Sequence, residues 1–255
     1  MKAIGEVLSS DTFFHFTSKR EYLEGILQKT FRPRYCLEEA HLFPELNNLD
    51  LAFPMVCFCD IPLSKLRNHI NTYGSYGIGL KKEWGFSNGF SPVSYVKAGS
   101  KLQNSYRSIL NYWAQNPDKF DQMDRLFVEK ISEIIMFTKP YEGQMQRGND
   151  VFETKFYDEK EWRWIPDTSD YANIYNHIDK EMWNDSRTRN LHNKRVSELA
   201  LRFRPDDINY LIIESENEID DFIQSLENAK ERFDTKTIKR LTTRILTKDR
   251  IEKDF

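Results

Sequence analysis

The sequence predicts an α+β fold, and three observations carry that reading. Short apolar and aromatic runs with strand character are scattered along the chain, among them "DTFFHFT" (11–17), "FPMVCFCDIPL" (53–63) and "INYLIIES" (208–215). Segments with apolar residues at helical spacing lie between them, as at Tyr22, Leu23, Ile26 and Leu27. The two kinds of segment do not follow the regular alternation that a doubly wound parallel sheet requires.

Taken in order, "DTFFHFT" places His15 and Thr17 on one strand face and Phe14 and Phe16 on the other. Ser18 and Glu21 have the spacing of a capping box, so a helix is expected over 19–29. "TFRPRYCLEEA" reads as a loop. The run 53–63 reads as a buried strand ending at Asp60, which stands where it could cap a short helix with Pro62 in its first turn, running to about Thr72. "YGSYGIGLKKEWG" (73–85) reads as a glycine-containing turn and then a strand. Residues 101–131 hold the helical patterns "YRSILNYWAQ" and "DQMDRLFVEKI". "EIIMFTKPYEG" (133–143) reads as a strand ended by Pro140, and "FYDEKEWRWIP" (156–166) as another ended by Pro166. Residues 167–195 are polar, with scattered aromatics and no clean period. Strand 208–215 precedes an acidic helix over 216–229. A final helical segment over 230–250 has eight Lys or Arg against three Asp or Glu, a local balance of +5.

Composition bounds the function. The chain has 255 residues, 39% hydrophobic and 14% aromatic, enough for a single domain over 1–255 with a substantial core. The 37 basic and 40 acidic residues leave a net charge of −3, with no overall pull toward nucleic acid or anionic membrane. No apolar run reaches the roughly 18 residues of a membrane span. The start, "MKAIGEVLSSDTFFHF", has no signal-peptide core. Cys36, Cys57 and Cys59 are odd in number, and Cys57 and Cys59 stand too close for an ordinary disulfide. A reduced, cytoplasmic protein without a membrane partner is expected. No second pair of ligands stands at metal spacing, so no metal is expected. His15, His41, His69, His177 and His192 form no nuclease motif.

Four constellations carry possible chemistry, each with a plain alternative. His15 and Thr17 share a strand face and could bond a ligand hydroxyl; a satisfied core or surface histidine looks the same. Arg32 and Arg34 flank Pro33, and guanidinium suits phosphate or carboxylate; solvated loop arginines are the alternative. Gly74, Gly77 and Gly79 alternate with Tyr73, Tyr76 and Ile78, so a ring could approach the backbone and stack on tyrosine; a tight turn into a twisted strand is the alternative. In "FYDEKEWRWIP", alternation puts Tyr157, Glu159, Glu161, Arg163 and Ile165 on one face and Lys160, Trp162 and Trp164 on the other. Two carboxylates about 7 Å apart at Cα, with an arginine beside them, suit a cleft where positive charge develops on a sugar. The solvent face of an edge strand with ion pairs gives the same pattern.

The stretches "FHFTSKREYLEGIL", "FRPRYCLEE", "FPMVCFCDIPLS", "YGSYGIGLKKEWG", "KPYEG", "FYDEKEWRWIP" and "DINYLII", in this order, resemble the AbiGi-type proteins of bacterial abortive phage infection. They span about residues 10–215. That family is described as the antitoxin of a two-gene system. The His-x-Thr strand and its helix also resemble the start of DarT-type ADP-ribosyltransferases, "YGSYGIGL" the tyrosine-bearing strand of H-Y-E transferases, and "EKEWR" their late strand with the catalytic glutamate. This likeness implies an ADP-ribosyltransferase-like fold over about 10–215, with a split mixed or antiparallel sheet and helical insertions, followed by an acidic and then basic helical segment over 216–255. It implies a toxin that transfers ADP-ribose from NAD, as substrate, to RNA or DNA. It also implies an inhibitory antitoxin or chaperone-like partner. His15, supported by Thr17, would bond the nicotinamide-side ribose, Tyr73 or Tyr76 would stack on nicotinamide, and Arg34 with Arg32 would meet the pyrophosphate. Glu161 would bond the ribose 2′-hydroxyl and stabilise the oxocarbenium ion, Glu159 would align or deprotonate the nucleophile, and Arg163 would hold both carboxylates ionised; which of the two glutamates is catalytic stays open. The competing reading is a non-catalytic antitoxin or partner-binding protein with a transferase-like fold, in which Glu159, Glu161 and Arg163 serve the structure.

Overall fold

The computed structural model describes residues 10–38, 50–115, 130, 133–147, 150–228 and 233–254. The helical pattern expected at 121–131, apart from Lys130, and the histidine at position 41 lie outside them.

Strand β1 (Thr12–Thr17) leads into α1 (Arg20–Gln28), which buries Leu23 and Leu27. Lys19 is the N-cap, one residue beyond Ser18, and no side chain caps the helix. The predicted capping box therefore does not form. Where a loop is predicted, β2 (Arg34–Glu38) lies antiparallel to β3 (Leu51–Cys59), with Arg34 opposite Met55 and Glu38 opposite Leu51. Asp60 caps nothing. It accepts the Ser10 backbone N–H at 2.8 Å and pairs with Lys82 at 2.7 Å, while Pro62 leads a single 3-10 turn into α2 (Leu66–Tyr73). β4 (Tyr76–Lys81) ends earlier than predicted, because residues from Lys82 coil into α3 (Lys82–Ser87) and bury Trp84. Two short strands, β5 (Ser91–Pro92) and β6 (Ser94–Val96), precede α4 (Lys101–Gln115).

The strand predicted over 133–143 is cut down to β7 (Thr138–Pro140), since residues 133–136 are helical. β8 (Gly143–Arg147) and β9 (Asp150–Thr154) form an antiparallel hairpin. A 3-10 turn over Phe156–Glu159 and a left-handed Lys160 (φ 46°, ψ 47°) come before β10 (Glu161–Trp164), so only the second half of the predicted strand is extended. The polar region holds β11 (Ile178–Asp179), α5 (Lys180–Asn184) and α6 (Ser186–Val196). Each of these helices is capped by an aspartate, Asp179 and Asp185, whose side chain accepts a backbone N–H in the first turn. β12 (Ile208–Ile213) and α7 (Ile219–Asn228) match the prediction. The basic segment is not all helix: α8 (Thr235–Thr242) and α9 (Lys248–Asp254) flank β13 (Ile245–Thr247), whose branched residues pair parallel with Leu211–Ile213.

The contacts group into two compact units. The first comprises Met1–Pro33, Val56–Phe90 and Glu198–Phe255, and the second Arg34–Met55 and Ser91–Ser197. In the first unit, β13, β12, β4, β1 and the end of β3 are neighbours in that order. The sheet is mixed: β12–β13 is parallel and the other pairs are antiparallel. One face of β1 packs Phe14 and Phe16 against Leu66, Ile70, Ile212 and Ile251. The other carries Phe13 and His15. Gly77 and Gly79 stand opposite Phe16 and Phe14 in β4, and a Cβ on either glycine would lie within 2.8 Å of the facing ring. The ring that approaches this backbone is thus a core phenylalanine. In the second unit, β2 and β11 flank the start of β3, β10 pairs with β5, and β6 pairs parallel with β7.

Candidate functional site

The predicted site residues divide between the units, with His15, Thr17, Arg32, Tyr73 and Tyr76 in the first and Arg34, Glu159, Glu161 and Arg163 in the second.

In the first unit His15 is half-buried, with its ring 5.2 Å from Phe31 and 5.5 Å from Phe58. Its Nδ1 lies 2.8 Å from the Cys57 carbonyl oxygen. A carbonyl only accepts, so Nδ1 carries the proton and Nε2 is left as an acceptor. Burial holds this imidazole below the ordinary histidine value, against a smaller upward pull from the Cys57 bond. Thr17 Oγ1 donates to the Lys19 carbonyl at 3.1 Å. Tyr73 is not beside His15. Its ring lies 4.5 Å from His69, tilted by 38°, and packs against the cluster of Phe14 and Phe16, the opposite face of β1. Tyr76 pairs with Thr17 and shares its face, but its hydroxyl donates to Glu218 at 3.0 Å. Arg32 is exposed. Tyr73 and His15 thus lie on opposite faces of β1, and the Tyr76 hydroxyl is engaged by Glu218.

Burial of His15 and His177 gives a pH dependence. Each folded-state value lies below the unfolded value of about 6.5, so the unfolded chain binds more protons between the two. Stability therefore rises with pH through that window. Acidification from about pH 7 should lower the thermal midpoint progressively, starting near pH 6.5, and His15→Gln should flatten part of the decline. A midpoint constant from about pH 7.5 to 5.5 would contradict this.

In the second unit a charged network is buried. β10 alternates so that Glu161 and Arg163 face inward, while Trp162 and Trp164 are only half-buried. Alternation alone leaves open which face is buried, and here it is the charged one. Arg163 is fully buried, and Glu159 and Glu161 are each 8% exposed. Arg163 Nε lies 2.8 Å from Glu161 Oε1, its Nη2 3.0 Å from Glu38 Oε1, and its Nη1 donates to the Met136 carbonyl at 2.5 Å. Lys139 Nζ bridges the two glutamates, 2.6 Å from Glu159 Oε2 and 3.1 Å from Glu161 Oε2, and sits over the Phe156 ring at 4.7 Å. Glu159 reaches Lys139 from the 3-10 turn and not from the strand. Tyr95 Oη accepts the Glu161 backbone N–H at 2.8 Å, and burial pushes its phenol above the ordinary range. Burial, reinforced by Glu38, pushes the Cys36 thiol up to about 12, so it stays protonated and unreactive. Arg34 is exposed on β2.

Glu38, Tyr95, Met136 and Lys139 are absent from the residues that sequence reasoning picked out. Lys139 and Glu38 fall inside "KPYEG" and "FRPRYCLEE" or at their edge, but nothing in their local spacing announces burial. The network can hold three segments of the unit together, since each buried charge has a bonded partner of opposite sign.

A family model described as "Putative abortive phage resistance protein AbiGi, antitoxin" matches residues 29–214, a span that holds β2 through β12 and the whole network. A protein of Lactococcus lactis subsp. cremoris, "Abortive phage resistance protein AbiGi", is 28% identical over 249 residues, covering 88% of this chain and 99% of the relative. No solved structure matches. With most of its length matched by the family model, the chain belongs to the AbiGi family.

Proposed function

We propose that this chain acts in abortive phage resistance as a non-catalytic, partner-binding protein, the antitoxin-like component of its system. One observation carries the reading: both carboxylates of "EKEWR" are withdrawn from solvent and engaged by Lys139 and Arg163. A catalytic carboxylate has to reach a sugar hydroxyl or a developing cation. Glu161 would first have to give up a charge-assisted bond to a fully buried guanidinium, and such bonds are the strong ones. The geometry fits an ion network that shapes the unit. The antitoxin wording of the family model agrees with a protein whose output is a complex with another protein.

The test is protection from phage by Glu161→Gln. The amide keeps the shape and a hydrogen-bond acceptor, so stability should fall by about 1–3 kcal/mol through the weakened pairing with Arg163. Protection at matched levels of soluble, folded protein should equal that of the wild type. Loss of protection with folded protein present contradicts the proposal.

A second reading, ADP-ribosyl transfer from NAD to RNA or DNA, is favoured by one feature. His15 is held in one tautomer by the Cys57 carbonyl, and its Nε2 is then an acceptor suited to a ribose hydroxyl. On that reading Glu161 is the catalytic carboxylate, Glu159 aligns the acceptor, and Arg32 and Arg34 meet the pyrophosphate.

A further inference from the structure

The polar region without clean periodicity folds into a helix of one charge sign. Helix α6 carries Arg187, Arg189, Lys194 and Arg195 and no acidic residue. Among the described residues, none of these four has a carboxylate oxygen within 4 Å, whereas Arg20, Lys82, Lys139 and Arg163 all do. The nearest acid along the chain, Asp185, caps the helix by accepting the Thr188 N–H at 2.7 Å, and its charge acts on Arg187 and Arg189 without an ion-pair contact. Arg189 turns inward to Trp183, with its guanidinium 4.9 Å from the indole and bonded to the Trp183 carbonyl. His192 and Val196 are buried on that same side. The outward side is left to Arg187, Leu191 and Lys194, with Arg195 at its border.

Exposed aromatic rings lie on the segment that Arg195 contacts. The Tyr175 ring is 5.1 Å from His192 and 47% exposed, and Tyr171 is 45% exposed. Arg195 reaches back to the Asn173 carbonyl at 3.5 Å, which sets the 171–175 turn against the helix. Cations on one helix with no ion-pair contact among the described residues repel one another, and their excess stands out in a chain of net charge −3. A polyanion would relieve that repulsion. An exposed ring beside arginine offers a stacking surface, and only unpaired bases can use it.

We infer that the outer face of α6, with Arg187, Lys194 and Arg195, together with Tyr175 and Tyr171, binds single-stranded nucleic acid through its phosphates and stacked bases. Phosphate contacts give affinity that falls with salt, by about 0.7 in log K per log salt for each phosphate on a single strand. Three cations predict a slope near −2. The stacking contribution is insensitive to salt, so ring and cation variants should behave differently. This site does not depend on the partner-binding reading above.

The probe is a fluorescein-labelled single-stranded RNA of mixed sequence, about 20 nucleotides long, titrated with the full chain while anisotropy is read from about 50 to 300 mM salt. The double variant Arg187→Gln, Lys194→Gln should weaken binding at least about tenfold at low salt and lower the slope by about 1.4. Tyr175→Ala should weaken it about tenfold with the slope unchanged. Lys236→Gln, Lys239→Gln removes the same charge from exposed positions on α8 and should change little. All of these side chains are at least partly exposed or on an outer face, and circular dichroism confirms that each variant is folded. The inference is overturned if the wild type does not bind at low salt, or if both double variants weaken binding equally. It is also overturned if polyglutamate displaces the RNA while Tyr175→Ala is harmless, which would make the face a site for an acidic protein.

Discussion

Arg163→Ala is expected to lower stability by about 3–5 kcal/mol, the largest effect of any single substitution in the network. The guanidinium is fully buried and links Glu161 on its own strand, Glu38 on β2 and the Met136 carbonyl. Removing it strands a buried carboxylate with Lys139 as its remaining named cation and leaves a buried carbonyl short of a donor. Glu38, whose side chain is 24% exposed, can turn partly to water and softens the loss. Urea unfolding followed by tryptophan fluorescence reads the change, since Trp162 and Trp164 flank Arg163. Arg32→Ala, at an exposed position, should shift stability by no more than about 0.5 kcal/mol. A loss below about 1 kcal/mol at Arg163 would mean that the network does not hold the unit together.

Phe16→Ala should cost about 3–4 kcal/mol, and it should change the effect of a second substitution. Phe16 is 9% exposed and lies over Gly77, where an added Cβ would come 2.7 Å from the ring. In the wild-type background Gly77→Ala forces that ring aside, at about 1–3 kcal/mol. With Phe16 already cut to alanine the new methyl enters vacated space, and Gly77→Ala should become neutral or stabilising. The double-mutant cycle therefore gives a coupling of about 1–3 kcal/mol. Additive losses would contradict the view that Gly77 exists to seat the Phe16 ring. The same cycle bears on function, because glycines that seat Phe14 and Phe16 need no nicotinamide to account for them.

The legible parts of the fold were those set by local pattern. Leu23 and Leu27 in α1, the apolar run of β3 and the run of β12 are buried where periodicity puts them. What the pattern hid depended on partners distant in sequence. β2 looks like a loop because Pro33 and two arginines dominate it, and it becomes a strand by pairing with β3. β13 lies inside a basic segment and is extended only because β12 offers an edge. The break at Lys160 is hidden, because a lysine in the left-handed region leaves no mark in an alternating sequence. The candidate site shows the same division. Alternation correctly puts Glu161 and Arg163 on one face, yet it cannot say which face is buried. Charged residues are ordinarily outside. Here Glu38 and Lys139, 123 and 22 residues from Glu161 in the chain, supply the counter-charges that let them go in.

The most direct test of the central claim, that "EKEWR" is structural, is nicotinamide release from NAD by the purified chain, alone and with total RNA, DNA or cell lysate. The account predicts release no greater than in buffer, with wild type and Glu161→Gln indistinguishable. Release by the wild type that folded Glu161→Gln lacks would contradict it and make Glu161 a catalytic residue.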